Sequence, residues 1–146
     1  QIPFTVFSIP DLEKVEHTPE KIRNPLLGRK YEFGKTDCYS LVRDYYQEEY
    51  NTSLPAMPFI DNWWEEDLNY FDDLFEAYGF VEVEEPKIGD VIIFKIMSNV
   101  PNHCGVYIGE GRFIHHAIHR LSCRESLYSH NWINKVHRYT RCKQFI

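Results

Sequence analysis

The spacing of apolar residues changes once along this chain, at Gly79, and that change constrains the fold more than any other feature. Before it, apolar side chains recur at helical spacing. In residues 37–50, DCYSLVRDYYQEEY, the positions Cys38, Leu41, Val42, Tyr45 and Glu49 form an i, i+3, i+4, i+7 stripe that is mostly apolar. Asp37 is a good N-cap, and Gly34 breaks the chain just ahead of it. Residues 65–79 repeat the pattern, with Leu68, Phe71, Leu74, Phe75 and Tyr78 on one face and Gly79 as the stop. After Gly79 the period shortens to that of strands, which are predicted over 80–84, 90–97, 103–108, 112–118 and 135–141. Pro86, Gly89, Ser98 to Pro101 and Gly109-Glu110-Gly111 separate them. Helices first and strands afterwards predict an α+β fold, with N-terminal helices packed on an antiparallel sheet of about five strands.

The 146 residues suit a single domain spanning 1–146. Residues 1–23 read as an extended lead-in with a short helix after Thr18-Pro19, and 51–64 as a loop with an aromatic end. No apolar run approaches the roughly 18 residues of a membrane span. Gln1 to Pro10 lacks the basic start and long apolar stretch of a signal peptide. Aromatic residues at 16% exclude wholesale disorder, and a net charge of −6 argues against a general nucleic-acid binder. The charge is uneven. Residues 61–90 hold eleven acids against Lys87, and residues 111–146 hold seven bases against Glu125. They read as solvated faces of opposite sign; the basic one is a candidate to flank a cleft, the acidic one to meet a partner.

Four cysteines stand at 38, 104, 123 and 142 without a CxxC pair, so a zinc ribbon is not expected and the thiols read as free. Cys38 falls on the first turn of the first predicted helix. Unpaired backbone N–H groups there favour thiolate over thiol, while Asp37 opposes it. Position alone also allows a small buried hydrophobe, so a nucleophile at Cys38 needs a second group. Histidine is the natural one, as a general base or as the imidazolium of an ion pair.

Histidines 103, 115, 116 and 119 cluster among the predicted strands. If Gly109-Glu110-Gly111 is a three-residue loop, Ile108 pairs with Arg112, His115 faces Gly105, and His103 and His115 become diagonal neighbours roughly 6–8 Å apart. A two-residue loop would put His116 on that face instead. The favoured arrangement is a thiolate at a helix start, a histidine base on a strand and a second histidine orienting it. A metal site drawn from His103, Cys104, His115, His116, His119 and Cys123 is disfavoured, because adjacent strand residues point to opposite faces.

Taken together, Asp37-Cys38-Tyr39-Ser40-Leu41, Gly89-Asp90-Val91-Ile92, His103-Cys104-Gly105-Val106-Tyr107-Ile108-Gly109 and Phe113-Ile114-His115-His116 resemble the NlpC-type cell-wall peptidase superfamily. Asn24-Pro25-Leu26-Leu27-Gly28-Arg29, Asp61-Asn62-Trp63-Trp64 and Arg120-Leu121-Ser122 draw the match closer to its phage tail-assembly protein K branch, at the tail tip. The resemblance covers about residues 24–141. It implies a papain-like fold and a cysteine peptidase acting on peptidoglycan stem peptides, usually at the bond between D-γ-glutamate and a diamino acid. By motif, Cys38 is the nucleophile, His103 the base and His115 the third polar residue. Tyr31 matches an aromatic position that helps hold the substrate or oxyanion, and Asp37 joins it as a candidate there. No cofactor or metal is implied. The implied partners are stem peptides and other tail-tip proteins, with no nucleic acid and no membrane span. The implied location is the virion tail tip, made in the host cytoplasm and acting at the cell wall.

Two departures stand out. Cys104 occupies a place where relatives often carry Ala or Val; it is expected to face away from His103, pack in the core and leave catalysis unaffected. Many tail proteins of the branch carry a metallopeptidase-like domain ahead of the cysteine domain. No room for one precedes residue 24 here, so the chain reads as a single-domain version or a fragment. The alternative to an enzyme is a silent structural tail-tip component on the same fold.

Overall fold

The computed structural model describes residues 26–56, 65 and 68–145. The lead-in 1–23, the Asn24-Pro25 step and the Asp61-Asn62-Trp63-Trp64 motif lie outside the described residues.

Helix α1 is Cys38–Tyr50. Asp37 caps it from an extended backbone, its side chain accepting a hydrogen bond from the Ser40 N–H at 2.8 Å. Asn51 ends it in the left-handed region, at φ 49°. Helix α2 is Tyr70–Ala77, shorter than the predicted 65–79. Asn69 sets its start by capping the Asp72 N–H, and Asp72 and Asp73 then sit in the first turn, where the helix dipole favours them.

Six strands follow: β1 Phe80–Val83, β2 Val91–Phe94, β3 His103–Gly109, β4 Arg112–His115, β5 Cys123–Ser126 and β6 Val136–Cys142. They form one antiparallel sheet in the order β1-β6-β2-β3-β4-β5. The α+β expectation holds, with one strand more than the sequence reading gave. The extra strand, β5, reads CRES and lies at the sheet edge, so it carries no apolar alternation to detect. Strand β2 stops at Phe94 after a register shift, and β4 stops at His115, both three residues short of prediction.

Each face of the sheet is covered. Val91, Ile93, Cys104, Val106 and Ile114 pack with Leu41, Val42, Tyr46, Phe71 and Phe75 of the two helices. The opposite face carries Ile92, Phe94, Tyr107 and Phe113 under Leu127 and Trp132. Burial on both faces is why β2, VIIF, is continuously apolar rather than alternating.

Part of the charge split is paired within the molecule. Arg138 of β6 meets Asp72 of α2 at 3.1 Å and Glu82 of β1 at 3.4 Å, and His137 meets Asp72 at 3.0 Å. Arg141 grips Asp90 with two nitrogens, at 2.9 and 2.8 Å. Two residues of the basic stretch, Arg138 and Arg141, thus hold β6 to Asp72, Glu82 and Asp90 of the acidic stretch.

Candidate active site

The β3–β4 hairpin decides which histidine joins His103. Its turn is Glu110-Gly111, with φ values of 55° and 74°, and so is two residues long rather than the predicted three. A register shift between Tyr107 and Gly109 offsets the change: Gly109 pairs with Arg112, yet Tyr107 pairs with Phe113 and Gly105 with His115. The bulge thus preserves the register a three-residue loop would give. His103 and His115 are diagonal neighbours, and His103 Nε2 lies 2.8 Å from His115 Nδ1. Gly105 makes that approach possible. A Cβ there would stand 2.7 Å from the Ile114 carbonyl oxygen and 3.0 Å from the His115 Cβ.

Cys38 opens α1 at the edge of a cavity of about 400 Å³ that His103, Tyr31, His116, Arg120 and Trp132 also line. His103 and His115 are buried under the Trp132 indole, whose ring centroid is 5.9 Å from His103 and 4.5 Å from His115. The Cys38 thiol is pulled down to about 6. The largest cause is a hydrogen bond from the Cys104 thiol, and burial opposes it; the hydrogen bond and charge of His103 lower it further, against the nearby Asp37 carboxylate. Burial pushes the His103 imidazole below its ordinary value, partly offset by Cys38.

Cys104 needs a correction. It does pack in the helix-side core, on the face away from His103, as expected. That is also the face on which α1 lies, so Cys104 is a direct neighbour of Cys38 rather than a bystander. Burial holds its own thiol well above the ordinary value, which keeps it protonated and able to donate.

Asp37 is occupied by capping. One oxygen accepts from the Ser40 N–H and hydroxyl, and the other from the Gly34 N–H at 2.7 Å. Tyr31 stands edge-on to His116, ring centroids 5.3 Å apart, on the cavity wall. Two of the segments that carry the resemblance, 26–29 and 120–122, are stitched together. Gly28 N–H donates to the Ser122 carbonyl, Ser122 N–H to the Arg29 carbonyl, and Arg29 N–H to the Ser122 hydroxyl at 2.9 Å.

Two further groups stand at the site: His116, which the sequence offered only as the alternative to His115 or as a disfavoured metal ligand, and Glu125, to which it gave no role there. His116 is fully buried, donates from Nε2 to the Arg120 carbonyl at 2.8 Å, and keeps an Nδ1 without a hydrogen-bond partner among the described residues. Glu125, on the unpredicted strand β5, places Oε2 at 2.6 Å from His115 Nε2. His115, Cys123 and Glu125 also bring one nitrogen, one sulfur and one oxygen within 4.8 Å of one another. Arg120 is already 3.5 Å from that same Glu125 oxygen.

Residues 28–141 match the NlpC/P60 family. The chain is 38% identical over 114 residues to the tail tip assembly protein K of Escherichia phage lambda, an alignment covering 77% of this chain and 56% of that protein. It is 28% identical over 147 residues to the protein of the same name from Escherichia phage N15, covering 97% and 59%. It therefore spans less than two thirds of either relative. Among solved structures, a lipoprotein of the NLP/P60 family from Staphylococcus aureus superposes with a TM-score of 0.56 at 23% identity, covering 84% of this chain and 40% of that one. The NlpC/p60 domain of the peptidoglycan hydrolase SagA superposes with a TM-score of 0.53 at 16% identity, covering 80% and 89%. These superpositions show a shared fold.

Proposed function

The chain belongs to the NlpC/P60 family, and from that premise we propose that it is a cysteine peptidase of the phage tail tip that hydrolyses peptidoglycan stem peptides. The bond we assign is that between D-γ-glutamate and the diamino acid. The observation that carries the reading is the meeting of the lowered Cys38 thiol and the buried His103 at one cavity, with His115 in contact with His103 from outside that lining.

In this reading His103 takes the Cys38 proton or holds the thiolate as an ion pair, and the sulfur attacks the stem-peptide carbonyl. The oxyanion forms beside the first turn of α1, where the helix's own ladder leaves N–H groups unused. His103 then protonates the leaving amine, and water releases the acyl group from the sulfur. His115 fixes the ring of His103 through the 2.8 Å contact. Tyr31 and the His116 Nδ1 acceptor face the substrate, while Asp37 serves the site by holding the start of α1. In this reading the protein acts at the cell wall with other tail-tip proteins as neighbours; the homologues' name supports the tail-tip location. Among the described residues no helix is long and apolar enough to cross a membrane.

Digestion of purified peptidoglycan, read by mass spectrometry of the released fragments, tests the proposal. Wild type is expected to release peptides ending at D-γ-glutamate, and Cys38→Ala none above background. Equal release by both proteins, or none by wild type, would leave the silent structural reading in place. A different cut bond would keep the enzyme and change its substrate.

A further inference from the structure

The histidine pair continues one strand further than a nucleophile–base–orienter arrangement requires. Gly105 pairs with His115 across β3 and β4, which makes His103 the diagonal neighbour of His115. Phe113 pairs with Glu125 and His115 with Cys123 across β4 and β5, which makes Glu125 the next diagonal neighbour. The three side chains share one face of the sheet and run across three strands as a ladder. His103 Nε2 stands 2.8 Å from His115 Nδ1, and His115 Nε2 stands 2.6 Å from Glu125 Oε2.

We propose that Glu125 is a positioning residue of this site, a fourth member that fixes the tautomers of both histidines through the His115 ring. The proposal rests on the catalytic reading given above for Cys38 and His103. A carboxylate only accepts hydrogen bonds, so the proton shared with Glu125 belongs to His115 Nε2. A neutral His115 then offers a lone pair at Nδ1, which accepts from His103 Nε2–H. That leaves His103 Nδ1 as the basic nitrogen, the one ring atom not committed to His115. The chain of two hydrogen bonds thus turns a carboxylate on the sheet edge into a unique protonation state at the base. The negative charge also steadies the imidazolium that forms when His103 takes the Cys38 proton.

The surroundings of Glu125 agree. Burial works to raise its carboxyl, but hydrogen bonding and charge from His115, together with further hydrogen bonds including the Cys123 thiol, hold it below its ordinary value, so it is ionised at neutral pH. Arg120, from the loop before β5, lies 3.5 Å from the same oxygen, and Cys123 Sγ donates to it at 3.5 Å. His115 is fully buried and faces His103, His116, Arg120 and Glu125; its ring is pressed by Phe113 at 4.5 Å and by Trp132. Cys38 itself faces Asp37, Cys104 and His103.

The test reads Cys38 directly, so it does not depend on the substrate assigned above. Iodoacetamide labelling of Cys38 is followed against pH in wild type, Glu125→Gln and Glu125→Asp, with thermal melts checking the fold. Glu125→Gln removes the charge on a side chain of the same size; its labelling midpoint is expected to rise by about one pH unit. Turnover of stem peptide, where measurable, should fall by about 10–100-fold. Glu125→Asp keeps the charge on a shorter arm and should stay closer to wild type than Gln does. An unchanged midpoint in folded Glu125→Gln overturns the proposal. Nitrogen-detected NMR of the wild-type histidines gives a second reading that needs no variant. Both His103 and His115 should carry their proton at Nε2, and a proton at His115 Nδ1 in the neutral ring contradicts the relay. Absence of peptide release alongside a shifted midpoint would remove the enzymatic reading and leave the relay standing.

Discussion

Replacing His103 with Ala is expected to lower stem-peptide hydrolysis by about 10⁴–10⁶-fold, close to the loss caused by removing the nucleophile itself. The expected size follows from one side chain doing two jobs. His103 hydrogen-bonds and charge-pairs with Cys38, and so helps hold the thiol near 6; in the proposed mechanism it also returns a proton to the leaving amine. Losing it removes both, so the effects of Cys38→Ala and His103→Ala should be far from additive. The fold should survive, because His103 occupies the first position of β3, the adjacent Cys104 keeps its place in the core, and the Phe94 and Trp132 rings remain to cover the gap. The measurement is turnover of a soluble stem peptide with a melting curve for each variant. A loss smaller than about tenfold in a folded variant would remove His103 from the base role.

The second large effect concerns stability. Asp90→Ala is expected to cost about 3–5 kcal/mol, a large part of the roughly 5–15 kcal/mol that holds a domain of this size folded. Asp90 is only 2% exposed, and its carboxylate accepts from Arg141 Nε at 2.9 Å, from an Arg141 terminal nitrogen at 2.8 Å and from the Lys87 N–H at 2.7 Å. Truncation leaves a guanidinium that is mostly buried and has lost its counter-charge. The same substitution loosens the turn into β2, where Tyr46 hydroxyl donates to the Gly89 carbonyl at 2.6 Å. Urea denaturation followed by fluorescence checks this. A change below about 1 kcal/mol would show that the pair merely breaks even with a neutral packing arrangement.

How much of this was legible in the sequence depends on how local each cause is. Helix α1 and its cap were readable because Asp37 and the stripe from Cys38 to Tyr45 act within a few residues. The hairpin was readable for a partly mistaken reason. The turn has two residues, not three, and a bulge at Gly109 restores the register. Gly109 and Gly111 are both needed, one for the bulge and one for the turn, so counting three special residues gave the right partner for His103.

Strand β5 and the role of Glu125 were not legible. Cys123-Arg124-Glu125-Ser126 has neither branched apolar residues nor alternation, and its pairing with β4 is set by the sheet as a whole. Cys104 failed for a related reason. Strand alternation correctly turned it away from His103, but only the docking of α1 on that face reveals that it meets Cys38. The charge split was visible as composition, yet the few pairs that join its two halves, such as Arg138 with Glu82, depend on β6 passing beside β1, which no local pattern encodes.

The central claim is that Cys38 is an activated thiol, and its labelling by iodoacetamide as a function of pH tests that most directly. The thiolate is the reactive form, so the rate should rise with pH through a midpoint near 6 and fall away below it as the sulfur is protonated. At pH 7 Cys38 should react well ahead of Cys104 and Cys123, whose thiols burial pushes upward. A midpoint in the ordinary thiol range, with Cys38 no faster than the other cysteines, would contradict the account.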